Sequence, residues 1–358
     1  MFHRPIEIEM IRADVAKFNK VKTKAGQFSR AFNRQPCSLL KTKLASQWME
    51  EEYGKPAPMP LFGNFWQQNE LCILFADTNM GKSILAVQIA DTITKNYCME
   101  PFANKADPAT RVLYLDFEQG AKQFEIRYVN RKWGSYPFAD TFYRAEFDPA
   151  GMADVIYYKN YDEFIQNSME DVVRSTQAEV LIIDNITYMG SATQHATQAL
   201  QLMKMLKQLK TKYNLSVLVL AHTPKRDGRK PITVNDLQGS KMLINFADST
   251  FAIGQSNSAP AMRYLKQIKQ RSQGEMYGES NICLIRLETG EHLLQYKFEG
   301  CARERDHLKP ALAETLPEQR DAILKLHGQG LSVRKIAGQV GLRYTSVARI
   351  LRRGHGVE

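Results

Sequence analysis

The sequence has no long apolar run and no regular arrangement of its few cysteines. No segment approaches the roughly 18 consecutive apolar residues that a membrane helix requires, so we expect no membrane span. The N-terminal segment contains Glu7, Glu9 and Asp14 and lacks the apolar stretch of a secretory signal. The five cysteines have neither CxxC nor metal-ligand spacing, and their odd number argues against a disulfide framework. We therefore expect a cytoplasmic protein.

The composition is that of an ordinary globular protein and not that of a disordered or repetitive one. We find no internal repeat or low-complexity tract, and the hydrophobic (44%) and charged (24%) fractions are those of an ordinary globular protein. A chain of 358 residues favours a main domain with smaller flanking pieces. The net charge of +10 favours a polyanionic partner, and nucleic acid is one candidate.

Apolar runs in the middle of the chain predict strands that alternate with helices. Continuous runs at 71–76, 111–117, 179–184 and 216–222 indicate strands covered on both faces, hence a parallel sheet of βαβ units. We predict helices at about 82–95 and 194–212. Later segments, at about 249–253, 263–269, 282–287 and 293–298, alternate more, so we expect the sheet to end in an antiparallel edge.

The segment ADTNMGKS (76–83) lies between an apolar strand and an amphipathic helix, which is the context of a phosphate-binding loop. Backbone N–H groups of such a loop surround a phosphate, and we expect Lys82 to bridge phosphate oxygens and Ser83 to bind the Mg²⁺ of ATP. Ala76 stands at the first position instead of Gly, and the alternative interpretation is an incidental Gly-Lys-Ser at a helix start. The candidate nucleotide-binding residues are Ala76, Asp77, Thr78, Asn79, Met80, Gly81, Lys82 and Ser83.

Two carboxylates are candidates for the chemistry beside this loop. Asp184 ends the apolar strand EVLIID, where it can hold Mg²⁺ together with Ser83, although an aspartate there can also cap a turn. Glu118 comes just after the strand at 111–117, where it can polarise the water that attacks the γ-phosphate. Asp116 is the competing candidate for that role, and we prefer Glu118.

The order of these motifs resembles the hexameric replicative helicases of the RepA and DnaB type, within the RecA superfamily. The resemblance covers roughly residues 58–300 and depends on the P-loop, Glu118, Asp184 without an adjacent glutamate, and VLVLAHT (217–223). It implies an α/β fold with a twisted, mainly parallel sheet, a homohexameric ring and ATP sites between subunits. It also implies that His222 senses the γ-phosphate, whereas a histidine at a strand end is more commonly structural.

The same resemblance implies roles for two groups of basic residues. The segment 225–240 matches a loop that grips single-stranded DNA in the ring channel, through Lys225, Arg226, Arg229 and Lys230, although a merely solvated loop is the alternative. The loop at about 186–196 is a second channel candidate without a basic residue. Lys269 and Arg271 match the basic pair that a ring helicase inserts into the neighbouring ATP site, and an ordinary edge-strand charge pair is the alternative.

The last forty residues predict a separate three-helix module. Apolar residues recur at helical spacing, Gly328 and Gly330 separate the first helix from the second, and Gly341 precedes the third. This part resembles the helix-turn-helix of resolvase and invertase DNA-binding domains, with Ser332 as N-cap, and residues 318–358 contain eight Lys/Arg against three Asp/Glu. A module for protein contacts is the alternative. The resemblance implies that the recognition helix presents Arg343, Tyr344, Thr345, Ser346 and Arg349 to duplex DNA.

The sequence thus predicts four parts: a basic helical arm (1–55), a RecA-like P-loop ATPase domain (56–301), a linker (302–316) and a helix-turn-helix domain (317–358). The leading hypothesis is an ATP-hydrolysing hexameric DNA helicase that acts in plasmid or mobile-element replication. The alternative is an oligomeric DNA-binding regulator that uses ATP only to assemble. A recombinase-like filament or a protein kinase of related fold is a third hypothesis.

Overall fold

The computed structural model describes residues 40–130, 132, 134–186, 196–224, 226–237, 241–290, 294–310, 317–342 and 344–354. The chain divides into two compact units, with the boundary between Ala57 and Pro58. In the first unit the described residues form one helix, α1 (Ala45–Glu52), whose residues are all exposed. The sequence predicts a helical arm over residues 1–55, of which residues 1–39 lie outside the described residues.

The second unit is built around a sheet that has nine strands in the described part of the chain. The strands are β3 (Leu71–Ala76), β4 (Val112–Asp116), β7 (Phe142–Glu146), β8 (Val180–Asp184), β9 (Ser216–His222), β10 (Ser249–Gln255), β11 (Met262–Gln270), β12 (Ile282–Thr289) and β13 (Leu294–Ala302). Their order across the sheet is β13-β12-β11-β10-β3-β9-β8-β4-β7. From β10 to β7 in this order, each strand is parallel to the next.

Short strand pairs and helices complete this unit. The pairs are β1 (Pro60–Phe62) with β2 (Trp66–Gln67) and β5 (Val129–Asn130) with β6 (Gly134–Ser135). The α-helices are α2 (Lys82–Lys95), α3 (Ala121–Arg127), α4 (Tyr161–Thr176), α5 (Ala196–Tyr213) and α6 (Lys241–Phe246). Single 3₁₀ segments are found at Pro149–Tyr157, Val234–Asp236 and Glu304–His307.

The sheet is parallel because its central strands are apolar on both faces. Every residue of β3, β4 and β8 is buried. One apolar cluster covers the face that packs against α2, and a second covers the face that packs against α4 and α5. The prediction of an α/β fold with a mainly parallel sheet is therefore confirmed.

The predicted antiparallel edge is also present. Strands β10, β11, β12 and β13 pair antiparallel in chain order, and β13 forms the outer edge. Strand β7 and helix α4 were not predicted from the sequence. Strand β7 forms the opposite edge and its residues are only partly covered, so its sequence lacks the apolar run that marked the central strands.

The C-terminal residues form the three predicted helices, α7 (Pro317–Gly328), α8 (Val333–Gln339) and α9 (Tyr344–Gly354). They pack around their own apolar cluster, which includes Ile323, Ile336 and Val347. Gly330 and Gly341 have φ values of 82° and 65° in the turns between the helices, a conformation that favours glycine. Ser332 occupies the N-cap position of α8, but its side chain makes no capping hydrogen bond.

Within the described ranges, no helix combines the length and the apolar character that crossing a membrane requires.

Candidate functional site

The segment 76–83 connects β3 to α2 at the C-terminal edge of the parallel strands. Ala76 lies in β3, where it pairs with His222 of β9, so this position does not need a glycine. The left-handed residues of the loop are Asn79 (φ 61°) and Gly81 (φ 79°). Gly81 is the N-cap of α2, so the loop leads directly to the free N–H groups of a helix N-terminus. Such a terminus favours an anion, as the sequence predicted.

Tyr296 of β13 fixes this loop from the antiparallel part of the sheet. Its hydroxyl donates a hydrogen bond to the Met80 carbonyl at 2.6 Å, and a Cβ atom on Gly81 would overlap that hydroxyl. The Gln88 side chain of α2 also bonds the Tyr296 backbone twice, through N–H and C=O, at 2.8 Å each. Sequence reasoning missed Tyr296 because it lies more than 200 residues from the loop and has no motif of its own.

Lys82 is the cation of the loop, and its side chain is nearly buried. Its Nζ donates to the carbonyls of Ala76 and Asp77, at 3.2 Å each, and to Nδ1 of His222 at 3.1 Å. Burial lowers the pKa of Lys82, and the carboxylates of Asp184 and Glu118 oppose that shift. A desolvated ammonium whose hydrogen-bond partners among the described residues are all neutral suits an incoming phosphate.

Asp184 ends β8 in a fully buried position beside Lys82 and Ser83. Its Oδ2 accepts a hydrogen bond from the Tyr114 hydroxyl at 2.5 Å. Burial raises the pKa of Asp184 to about 6, and the nearby hydroxyls of Ser83 and Tyr114 oppose the shift. Its Oδ1 has no hydrogen-bond partner in the part of the chain that the structure describes. A buried carboxylate oxygen without a partner, next to a serine hydroxyl, fits a Mg²⁺ ion and its water shell.

Glu118 follows β4 and reaches the same site from the next segment. Its Oε1 lies 3.2 Å from Nε2 of His222 and also accepts a hydrogen bond from Nδ2 of Asn185. These contacts, and above all the bond to His222, hold the pKa of Glu118 below its ordinary value. Lys82 donates to Nδ1 of His222, and Nε2 on the other side of the ring lies within 3.2 Å of Glu118 Oε1 and 2.9 Å from Nδ2 of Asn185. Lys82, His222 and Glu118 are therefore connected in one chain of contacts. Asn185 also contacts Glu118, and no motif in the sequence predicted this role.

Asp116, the competing carboxylate, is held by other groups. It is buried, and its Oδ2 lies 3.1 Å from Nε and 3.0 Å from Nη2 of Arg144. Its Oδ1 accepts hydrogen bonds from the backbone N–H groups of Glu118 (3.2 Å) and Gln119 (2.9 Å). Asp116 thus shapes the turn that carries Glu118, and this geometry favours Glu118 as the base.

Lys269 and Arg271 lie at the other end of the sheet. Gln270 between them pairs with Ser249, which in turn pairs with Cys72 at the start of β3, whereas the loop 76–83 follows the end of β3. Lys269 Nζ donates to the Ile244 carbonyl at 2.6 Å, and Nη1 of the half-exposed Arg271 lies 3.1 Å from Oδ1 of Asp248. The structure therefore does not bring this pair to the loop of its own subunit.

The basic loop after β9 is bound largely by its own residues. Nε of the nearly buried Arg226 lies 3.7 Å from Oδ1 of Asp236, and Arg229 forms two 2.8 Å hydrogen bonds with Asp227. Lys230 is exposed and Lys225 lies outside the described residues. A DNA phosphate would have to compete with carboxylates at two of the four predicted positions.

The predicted recognition helix is α9, and its DNA contacts remain predictions. Tyr344 and Thr345 are exposed at its start, and Ser346 is half-buried. Arg343 and the side chain of Arg349 lie outside the described residues.

Asp184→Asn should stabilise the protein in the absence of nucleotide and metal, by about 1–3 kcal/mol above pH 6. Burial raises the pKa of this acid in the folded protein, so the unmodified protein loses free energy of unfolding as the pH rises from the ordinary value of 3.8 to about 6. The asparagine variant lacks this loss and keeps an acceptor for Tyr114. Urea unfolding of both proteins between pH 4 and 8 measures the difference. A variant that is less stable than the unmodified protein at pH 8 would contradict it.

A comparison with known families agrees with this geometry. No curated protein matches the chain. The family described as an AAA domain matches residues 39–228, a range that includes the P-loop, Glu118, Asp184 and His222 and ends before Lys269 and the C-terminal helices. Because this match covers more than half of the 358 residues, the chain belongs to the AAA domain family, whose P-loop domain is that of an ATPase.

Proposed function

We propose that this protein is an ATP-driven, ring-forming DNA motor of the RepA and DnaB type, acting in plasmid or mobile-element replication. The observation that supports it most is the contact chain from Lys82 through His222 to Glu118, because it connects a phosphate-binding cation with a general base. A site that only binds nucleotide has no need for such a base. A motor requires repeated hydrolysis.

The residues at the site divide the work of hydrolysis among them. The loop amides and Lys82 bind the phosphates, and Ser83 and Asp184 hold Mg²⁺, which when bound neutralises phosphate charge. Glu118 orients the attacking water and accepts its proton. Because the pKa of Glu118 is lowered, the side chain is an ionised carboxylate at neutral pH and can take up that proton. When a γ-phosphate takes Lys82 away from His222, the imidazole transmits that change to Glu118. His222 thereby makes the position of the base depend on the nucleotide.

The position of Lys269 and Arg271 supports the ring part of the proposal. They lie at the end of the sheet opposite their own P-loop, so in a head-to-tail ring they are available to the site of a neighbour. The C-terminal helices α7, α8 and α9, with their excess of basic residues, bring the ring to duplex DNA. The exposed Lys230 and its neighbours contact the single strand in the channel.

A strand-displacement assay tests the motor proposal directly. We expect the unmodified protein to separate a forked duplex with ATP and Mg²⁺, and Lys82→Ala to abolish both separation and ATP hydrolysis because the phosphate loses its buried cation. Lys95→Ala is the matched control, since Lys95 lies at the other end of the same helix and pairs with Asp91. Unchanged hydrolysis in Lys82→Ala would overturn the P-loop assignment.

A second function has one observation in its favour. Because Arg226 and Arg229 are paired with carboxylates of their own loop, the channel loop offers fewer free cations than its four basic residues suggest. A DNA-binding regulator that uses ATP only to oligomerise would tolerate this. Footprints on duplex DNA that require ATP, without any strand separation, would support the regulator over the motor.

Removal of residues 310–358 should weaken duplex binding and leave basal ATP hydrolysis unchanged. The cut retains Lys309, whose backbone N–H donates to the Gly228 carbonyl at 3.0 Å and so keeps the loop after β9 closed. We expect a flatter salt dependence of DNA affinity, because several phosphate contacts are lost. Fluorescence anisotropy with labelled duplex from 50 to about 200 mM salt measures this.

A point variant separates that effect from truncation. Tyr344→Ala removes an exposed side chain at the start of α9 and leaves the apolar cluster of the three helices intact. We expect weaker duplex binding with unchanged thermal stability. Unchanged duplex affinity in both proteins would show that the three helices serve protein contacts.

A further inference from the structure

Two cysteines face each other across the antiparallel edge of the sheet. Cys283 of β12 and Cys301 of β13 are direct partners in the strand register. Direct partners in an antiparallel pair have Cα atoms about 4.5–5.5 Å apart and Cβ atoms about 4.5–5.5 Å apart on the same face. A disulfide needs Cα atoms about 4.4–6.8 Å apart and Cβ atoms about 3.5–4.5 Å apart. The backbone spacing already fits a disulfide, and the side chains need only a small approach.

The two thiols have different environments. Cys283 is buried and Cys301 is exposed, and both are free. Burial raises the pKa of Cys283, and the adjacent Cys301 raises it further. Cys301 is therefore the thiol that a solvent-borne oxidant reaches first. Cys283 stands directly beside it as the second thiol of the pair.

One cysteine of the pair, Cys301, lies on the strand β13 that contacts the P-loop through Tyr296. Tyr296, on the same strand as Cys301, donates to the Met80 carbonyl and is bonded through its backbone to Gln88 of α2. The pairing of β13 with β12 therefore affects the position of Tyr296 and, through it, the nucleotide-binding loop. A covalent bond between these two strands acts on the element that positions the loop.

We propose that Cys283 and Cys301 form a reversible disulfide when the protein meets a hydroperoxide, and that this bond clamps the hairpin that holds Tyr296 on the P-loop. With hydrogen peroxide, the Cys301 sulfur attacks one oxygen and the O–O bond breaks, so that a sulfenic acid forms and the departing hydroxide takes the thiol proton and leaves as water. The Cys283 sulfur then attacks the Cys301 sulfur, the S–O bond breaks, and the hydroxyl leaves as a second water with the Cys283 proton. Two thiols lose two electrons and the peroxide gains them.

Peptide mapping of the reduced full-length protein after peroxide treatment tests the bond. We expect one peptide pair joined through Cys283 and Cys301, which dithiothreitol separates again. Amide hydrogen exchange of β12 and β13 should slow by about tenfold or more in the oxidised protein, because the closed hairpin opens less often. Cys301 oxidised to the sulfinic acid, or joined to a different cysteine, while Cys283 still reacts with an alkylating agent after unfolding, would overturn the proposal.

A dithiol probe gives an independent readout. Phenylarsine oxide bonds two adjacent thiols at once, so the reduced protein should bind one equivalent at this pair. Cys301→Ser should abolish that binding, and it changes only an exposed position. Cys98→Ser, at another exposed cysteine, is the matched control and should retain it. Equal binding by Cys301→Ser and the unmodified protein would count against the pair.

Discussion

Glu118→Gln should lower the rate of ATP hydrolysis by about 10²–10⁴-fold, while ATP still binds. The amide keeps the size of the side chain and can still contact His222, but it cannot accept a proton from water. The nucleotide contacts of Lys82 and the loop amides do not involve this carboxylate. Steady-state hydrolysis and equilibrium binding of a fluorescent ATP analogue separate the two effects.

Asp116→Asn distinguishes the two candidate carboxylates. Removing this charge leaves Glu146, at 2.9 Å, as the remaining acidic partner of Arg144 among the described residues, so we expect a loss of stability of about 3 kcal/mol. If Glu118 is the base, the folded Asp116→Asn protein still hydrolyses ATP at a rate much closer to that of the unmodified protein. Glu125→Gln, at an exposed glutamate of α3, is a control for loss of charge. Full activity in Glu118→Gln, together with an inactive but folded Asp116→Asn, would show that Asp116 is the base and Glu118 is not.

The sequence predicted the parts of the site that local patterns encode. The strands β3 and β8 are apolar runs buried on both faces, so their positions and their ends could be predicted from the sequence. These ends are Ala76 and Asp184. Parallel strands place their carboxyl ends at one edge, which brings these ends together. The glycine at position 81 was required by a left-handed turn, and the sequence showed it as part of the P-loop.

The missed parts depend on contacts between distant segments. Tyr296 reaches the loop only because the antiparallel strands fold back beside α2, and nothing near residue 296 records that path. Asn185 directly follows Asp184 in the sequence. Its contacts with Glu118 and His222 nevertheless depend on the positions of those residues at the ends of β4 and β9. The pairing of Arg226 with Asp236 likewise arises from loop closure, which residue types alone do not reveal.

Arg271→Ala should leave ATP binding largely intact and reduce hydrolysis by about 10³-fold or more. If Arg271 completes the site of a neighbour, its guanidinium stabilises charge that develops in the transition state, so the ground-state complex changes little. Its ion pair with Asp248 is half-exposed, so we expect a stability change of at most about 1 kcal/mol. Arg286→Ala is the matched control, because Arg286 is an exposed, paired arginine on the neighbouring strand β12.

Mixing two inactive variants tests whether Arg271 acts between subunits. A subunit with Arg271→Ala retains Glu118, and a subunit with Glu118→Gln retains Arg271. In a mixed ring, an interface where an intact Glu118 faces an intact Arg271 has a complete site, so a measurable fraction of hydrolysis should return. If Arg271 acts within its own subunit, no hydrolysis should return, because neither variant then has a complete site. Subunit exchange is followed separately by energy transfer between labelled proteins. If the subunits exchange and no hydrolysis returns, Arg271 is a structural residue that pairs with Asp248, and the ring proposal loses its trans-acting group.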